Sequence, residues 1–444
     1  MVDQAPSAPA EPGITVSQDS TVSPDRAAPP EGAARRAQVE SLAVAVALFG
    51  ANALGYLFNL TAARGLANDV YGALGSLMAL LLVGVVPAMG LQTAAALHIA
   101  GLRSAGGDVV AGERRMLGCG VTAAAGVGAA TAAASPLLAG FLHLPGHMPV
   151  LLLAATLAPL TLHGLFVGTL QGNRRFAALA ALVCVDGLGK FGGGLAGLFL
   201  TRTLEGALGG MAVGGVTIAV AGWLVCGARG PALPVTRLVG KVFHATWALF
   251  GMVLLMNLDI VLAQHHLAGP AAGDYAVGFI VTKIALWLPQ AVGVVVLPRL
   301  ADPEDRRRAV PIALGLIALL DSAVVLTALV LGPSLFTLIG GPAYARHTGQ
   351  AWMFAAVGSM LALAHLLLYS RISAADRVSA AAVWAAVGVE IALVTLWLHG
   401  SVTQVSAAAL ATTTSLVVFG LIIERGARIA VRDGQITRQV TPGS

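Results

Sequence analysis

Apolar runs of about 20 residues or more recur twelve times along the chain, separated by short polar gaps. They lie near 41–62, 73–99, 116–139, 149–170, 177–200 and 205–227, then near 242–264, 275–298, 309–332, 350–371, 378–399 and 403–424. A hydrocarbon core of about 30 Å is crossed by roughly 20 apolar residues of helix, so each run is predicted to be a transmembrane helix. The gaps leave no room for a folded domain outside the bilayer, which places function among the helices.

Charge orients these spans. Of the 26 Lys and Arg residues, 21 lie in the N-terminal tail, in every second gap after it and in the C-terminal tail. Arg64, Arg202 and Arg346 occupy the intervening gaps, and Lys190 and Lys283 fall inside spans. Translocating cationic loops is unfavourable, so both termini are expected to be cytoplasmic, with the chain crossing the cell (plasma) membrane an even number of times. Composition agrees: 57% of residues are hydrophobic, 11% are charged and 54 are glycine. These values lie outside the range of soluble domains, and the small residues suit close helix packing in lipid.

The pI of about 9.4 does not indicate nucleic acid, because the cations are dispersed through short loops and form no basic stripe. Cys119, Cys184 and Cys226 fall within spans without ligand spacing and read as small buried hydrophobes; no metal site, cofactor or disulfide is expected. Residues 1–38 are rich in Pro, Ala, Ser and acidic side chains, too polar to bury a core, and are expected to be a disordered cytoplasmic tail. Arg35 and Arg36 precede the first run as in a secretory signal, but the run exceeds the usual 7 to 15 residues and is expected to remain as an uncleaved helix.

The halves resemble each other. "LFNLTAARGLANDVYGALGSLMALLLVGVVPAMG" in spans 1 and 2 matches "LMNLDIVLAQHHLAGPAAGDYAVGFIVTKIALWLPQAVG" in spans 7 and 8. In each an Asn-Leu pair ends one helix, Tyr71-Gly72 or Tyr275-Ala276 opens the next, and Pro87 or Pro289 follows. Six plus six helices starting on the same side imply repeats related by an axis along the membrane normal, with a cavity between them. The expected organisation is an N-terminal lobe over 39–230, a C-terminal lobe over 231–425 and a cytoplasmic tail over 426–444.

An ionisable side chain within the bilayer costs several kcal/mol unless it faces a cavity or a partner, so the charges inside spans are the best site candidates. Asp186 and Lys190 stand at i and i+4 on one face of span 5: either a neutral tie, or a phosphate contact at Lys190 that Asp186 holds until cargo competes. Asp259 and Lys283 lie at comparable depth in spans 7 and 8 and could meet across the hairpin, as a gate or as a structural tie. Asp321 in span 9 has no local partner and is the first candidate for a protonation-coupled residue; Glu390 in span 11 is similar. Arg64 could add a cation to the cavity. Asn59, Asn257 and Gln290, with Asn52, Gln92 and Gln171, could read sugar hydroxyls or simply join helices. His98, His163, His244 and His365 are scattered over four helices and read as packing residues. Pro87, Pro159 and Pro289 are expected to bend helices around the cavity.

Taken in order, "ARGLANDVYGALGSL", "GTLQGNRRFAALA", "NLDIVLA", "AGDYAVGFIVTKIALWLPQA" and "VVVLPRLAD" resemble the MOP flippase superfamily, which has the MATE-like fold, and within it the Wzx-type polysaccharide or oligosaccharide flippases. The resemblance covers about residues 41–425. It implies an all-α polytopic protein of about twelve transmembrane helices in two six-helix lobes, V-shaped around a central cavity that opens alternately to either side. It also implies lipid-linked saccharide cargo.

The expected function is therefore a flippase, not an enzyme, that moves a polyprenyl-diphosphate-linked oligosaccharide across the bilayer for cell-surface polysaccharide biosynthesis. A coupling proton or sodium ion fits the buried carboxylates, and the sequence does not choose between them. The alternative is a MATE-type cation or drug antiporter, favoured by four carboxylates against two lysines within the spans. A polymerase or ligase acting on the same glycolipids would need a substantial external loop, which the chain lacks.

Overall fold

The computed structural model describes residues 31–227, 230, 232, 236–267, 269–289, 303–344, 350–372 and 377–440. Among the described residues helix is the only regular structure, as hydrocarbon demands, because a backbone without water must pair its own N–H and C=O groups. The helices are α1 (Glu31–Gly65), α2 (Asn68–Gly84), α3 (Val86–Ser104), α4 (Val109–Ala133), α5 (Ser135–Phe141), α6 (Met148–Gly172), α7 (Phe176–Gly187), α8 (Gly193–Thr201) and α9 (Leu204–Cys226). They continue as α10 (Thr236–His266), α11 (Pro270–Trp287), α12 (Pro303–Gly340), α13 (Ala351–Ile372), α14 (Arg377–Leu396) and α15 (Val402–Val440). Among the described residues ten stretches are long and apolar enough to cross a membrane. Helix α11 and the apolar run Ala351–Leu367 of α13 occupy the positions of the eighth and tenth predicted spans.

Several spans are built differently from the sequence expectation. Span 2 is two helices meeting at Val85, with Pro87 in the first turn of α3, where a missing N–H costs nothing. Span 3 breaks in the same way at Ala134, ahead of Pro136, into α4 and α5. Pro159, by contrast, lies inside a continuous α6, and Pro289 lies beyond the end of α11 at Trp287. The break in α12 comes at Gly332, whose φ of 31° lies in the left-handed region that favours glycine. Helix also reaches into both expected tails, since α1 starts at Glu31 and α15 ends at Val440; Ala, Arg, Gln and Glu in "EGAARRAQVE" are good helix formers.

Two groups of helices result. In the first, α6 packs against α3, α4 and α9, with α7 on α1 and α8 on α9. In the second, α13 packs against α11, α12 and α15, with α14 on α10. The groups meet where α2 and α3 pack against α10 and α11, and α1 touches α12.

Backbone holds the first group together. Gly164 and Gly168 of α6 lie so close to the Ala88 and Gln92 carbonyls of α3 that a Cβ on either would clash, and Gly172 lies against Ala96 in the same way. Gly193 and Gly197 of α8 face Gly210 and Gly206 of α9, and Gly214 faces Gly189. Spacing by four keeps each glycine row on one helical face. Gly210→Val is expected to lower the folded yield and melting temperature sharply, because overpacking costs about 1–3 kcal/mol where the neighbour can yield and main chain yields less. Its neighbour Gly209 has nothing within 4 Å of a Cβ, so Gly209→Val is expected to melt like the unsubstituted protein. Thermal unfolding of both variants in detergent checks the pair.

At the end that the charge distribution assigns to the outside, polar ties cross between the groups. Arg64 at the end of α1 donates to Ile339 O at 3.2 Å and to Leu338 O, and so supplies a cation to the C-terminal carbonyls of α12. Gln264 Nε2 donates to Leu142 O at 3.2 Å, and His265 Nδ1 donates to Phe141 O at 2.7 Å. Ser76 of α2 reaches Ile260 O of α10 at 3.3 Å. Beside these ties Asn68 of α2 packs backbone to backbone on Gly273 of α11.

Candidate functional site

The polar side chains within the bilayer form two centres, one in each helix group. The first is built on span 5, where α7 and α8 are joined by a π turn at Leu188–Gly192. Lys190 in that turn places Nζ 3.3 Å from Asp186 Oδ2. The sequence placed this pair on one face, and the structure brings the two groups together. His163 of α6 adds a third member, with Nε2 3.9 Å from Asp186 Oδ1. All three side chains are only 14–18% exposed. Asp186 Oδ1 and His163 Nδ1 have no hydrogen-bond partner, so the centre keeps unused acceptor and donor capacity. Phe191 lies under the Lys190 ammonium, 4.8 Å from Nζ to the ring centre, and fills the space over Gly55. An ammonium held between a carboxylate and an aromatic face is a site that an anion can enter by displacing the carboxylate. Asn59 does not join it, since its amide donates to Gly55 O of its own helix at 2.8 Å.

The second centre lies between α10, α11, α14 and α15. Asp259, Tyr275, Glu390 and Ser406 are each at most 3% exposed. Tyr275 Oη donates to Asp259 Oδ2 at 3.0 Å, and Ser406 lies beside the same phenol. The Asp259 and Glu390 carboxylates interact with each other. Asp259 Oδ1 and both Glu390 oxygens have no hydrogen-bond partner. Lys283 is near enough to feel Asp259, but its hydrogen bonds go to Met256 O and Asn257 Oδ1, each at 3.0 Å. Asp259 is thus bonded to tyrosine, and Lys283 ties α11 to the main chain and amide of α10. Two buried carboxylates that feel each other's charge, with a phenol and a hydroxyl beside Asp259, offer oxygen atoms to a proton or a small hard cation.

Asp321 stands apart on α12, 3% exposed, with both oxygens unpartnered among the described residues. Arg64 is engaged in the tie to α12, and Gln290 lies outside the described residues. Three relationships were hidden from sequence reasoning: His163 with Asp186, Tyr275 with Asp259, and Glu390 with Asp259. Each joins two helices, consecutive ones for His163–Asp186 and Tyr275–Asp259 and distant ones for Glu390–Asp259, and their only early signal was the presence of a polar residue within an apolar span.

The outer end carries a further polar cluster in the gaps. The His265 ring stacks on Phe141 at 4.0 Å and on His143 at 5.3 Å, and His266 links His265 to His399 at 4.6 and 5.2 Å. The His143, His265 and His266 rings border a cavity of about 950 Å3 that is also lined by Asp69, Arg202 and Glu205. Nearby Tyr344 is buried; desolvation, followed by the Asp274 and Asp69 carboxylates, pushes its phenol above the usual tyrosine range. Asp186, Lys190, Asp259, Lys283, Asp321 and Glu390 do not line this cavity.

No family model and no curated protein matches the chain. Solved structures do. The lipid II flippase MurJ in an inward closed conformation superposes with a TM-score of 0.66 at 11% identity, over 86% of this chain and 87% of that one. An inward-facing multidrug resistance MATE family transporter of the MOP superfamily gives a TM-score of 0.63 at 12% identity, over 84% and 94%. A MATE in a bent conformation gives 0.61 at 13% identity, over 89% and 97%. At these identities the likeness establishes the fold: the chain is a multi-pass, two-lobe helical membrane protein with the fold of MOP superfamily transporters.

Proposed function

We propose that the protein is a flippase that carries a polyprenyl-diphosphate-linked oligosaccharide from the cytoplasmic to the outer leaflet for cell-surface polysaccharide biosynthesis. The observation that carries this reading is Lys190: an ammonium within the bilayer, 3.3 Å from its carboxylate, in a fold shared with a lipid II flippase. The diphosphate takes the place of Asp186 on Lys190, while the lipid tail stays in hydrocarbon. The lobes then rock, and cargo moves only because it binds the two states unequally. A membrane potential, inside negative, favours outward movement of the anion by about 2.3 kcal/mol per charge per 100 mV.

The carboxylate pair Asp259–Glu390 supplies the coupling site. Two carboxylates buried together, with the single Lys283 ammonium near Asp259, do not both remain charged without a further cation, so the site takes up a proton or sodium ion in one state and releases it in the other. The same pair favours a second reading, a MATE-type antiporter that exchanges an organic cation for that ion.

One experiment separates the two readings. The purified protein in liposomes is given a fluorescent polyprenyl-diphosphate oligosaccharide, and exposure of the sugar to an impermeant lectin is followed. Protein-dependent acceleration supports the flippase. Ion-driven extrusion of a cationic dye with no glycolipid movement overturns it in favour of the antiporter.

A further inference from the structure

Span 5 is the one membrane segment among the described residues that contains a π turn, and its two halves belong to different neighbours. Helix α7 packs chiefly on α1, whereas α8 packs chiefly on α9. The α8 half is fixed by main-chain contact, since Gly193 and Gly197 meet the α9 backbone without room for a Cβ. Gly187 on the other half lies against Ala51 of α1, at 2.8 Å from a built Cβ. The turn between them touches both partners, with Gly189 set against the Gly214 main chain of α9. π turns inside α-helices are often found at functional sites.

Gly192 is the second observation. Its φ and ψ are −65° and −42°, values any residue adopts, and nothing lies within 4 Å of the Cβ it lacks. Neither backbone conformation nor packing requires glycine there, yet glycine weakens a helix relative to alanine. Its freedom suits a turn that passes through another conformation. The third observation is that the ion pair straddles this turn: Asp186 is in the last turn of α7 and Lys190 is inside the π segment, 3.3 Å apart, so the pair restrains the angle between the halves.

We propose that Leu188–Gly192 is a hinge within the N-terminal lobe and that the Asp186–Lys190 pair is its catch. An anionic headgroup that draws Lys190 away from Asp186 frees α1 and α7 to swing against the fixed α8–α9 pair, so this lobe moves in two parts. The inference rests on the reading of Lys190 as the diphosphate contact.

The test uses the full chain in liposomes, with Cys119, Cys184 and Cys226 replaced by Ala and spin labels at Ala53 of α1 and Val216 of α9. Distances are measured by pulsed EPR with and without inorganic diphosphate as the probe. The unsubstituted hinge is expected to give a second α1–α9 distance when diphosphate is added. Lys190→Ala should show that distance without diphosphate and not respond further. Gly192→Ala should reduce the second population about fivefold, the factor that corresponds to a helix preference of about 1 kcal/mol for Ala over Gly. Gly209→Ala, also in open space, should behave like the parent. A single distance that is unchanged by diphosphate, Lys190→Ala and Gly192→Ala overturns the hinge. Glycolipid translocation measured on the same vesicles reports separately on the flippase reading, since a protein that bends with diphosphate but moves no glycolipid keeps the hinge and loses the cargo.

Discussion

Lys190→Ala is expected to lower glycolipid translocation at least about tenfold, equivalent to about 1.4 kcal/mol or more on the limiting barrier, with the protein still present in the membrane at its usual amount. The reason is the setting of the ammonium. It lies on a π turn with Asp186 at 3.3 Å and Phe191 beneath it, and no other lysine of the first helix group lies within the spans. Truncating it leaves Asp186 without its cation, beside His163 at 3.9 Å. A fully buried orphan charge costs about 3–5 kcal/mol, but these side chains are 18% exposed, so water reduces the loss. The double variant Asp186→Asn/Lys190→Ala removes both charges and should recover any stability lost by the single change without recovering transport. Lectin accessibility in liposomes gives the rate, and thermal melting gives the stability. Full translocation by Lys190→Ala would remove the residue from the cargo path.

Asp259→Asn and Glu390→Gln are expected to abolish the dependence of transport on an imposed proton or sodium gradient. Removing one carboxylate leaves its partner without the like-charged neighbour that makes ion binding necessary, and the substituted position is neutral in every state. Any remaining glycolipid movement would then follow the membrane potential alone. The matched observable is translocation rate against gradient size. The parent should rise with one of the two gradients, which also identifies the ion, while each variant gives a flat line. Tyr275→Phe, which removes the phenol bonded to Asp259 at 3.0 Å, should keep the gradient response at reduced size. A gradient response of parental size in Glu390→Gln would show that coupling resides elsewhere, with Asp321 the next group to examine.

Much of the architecture could be read from the sequence because the bilayer enforces it. Apolar length places each span, and the positions of Lys and Arg give a consistent orientation. Internal breaks were harder to read. Pro87 begins a helix while Pro159 sits inside one, though both stand in apolar runs. The Asp186–Lys190 pair was legible because both residues belong to one helix. The Asp259–Glu390 pair was not, because it joins α10 to α14, and residues that both lie within apolar spans carry no mark of which will face the other. Lys283 shows the same limit: depth alone matched it to Asp259, but an amide and a main-chain carbonyl lie closer to its hydrogens. The histidines at the outer end are far apart in the chain, from His143 to His399, and only folding makes them neighbours.

Where α1 meets α12 and α10 meets α2 and the end of α5, the polar ties between the two lobes each use a side-chain donor and a main-chain acceptor: Arg64 to Leu338 and Ile339, Gln264 to Leu142, His265 to Phe141, Ser76 to Ile260. A peptide carbonyl is the same whichever amino acid carries it. These fastenings can therefore be altered by mutation from one partner alone, and drift at Leu338, Ile339, Leu142, Phe141 or Ile260 leaves the acceptor in place so long as the helix does. The strength with which the two lobes are fastened at this end is written in four donor residues.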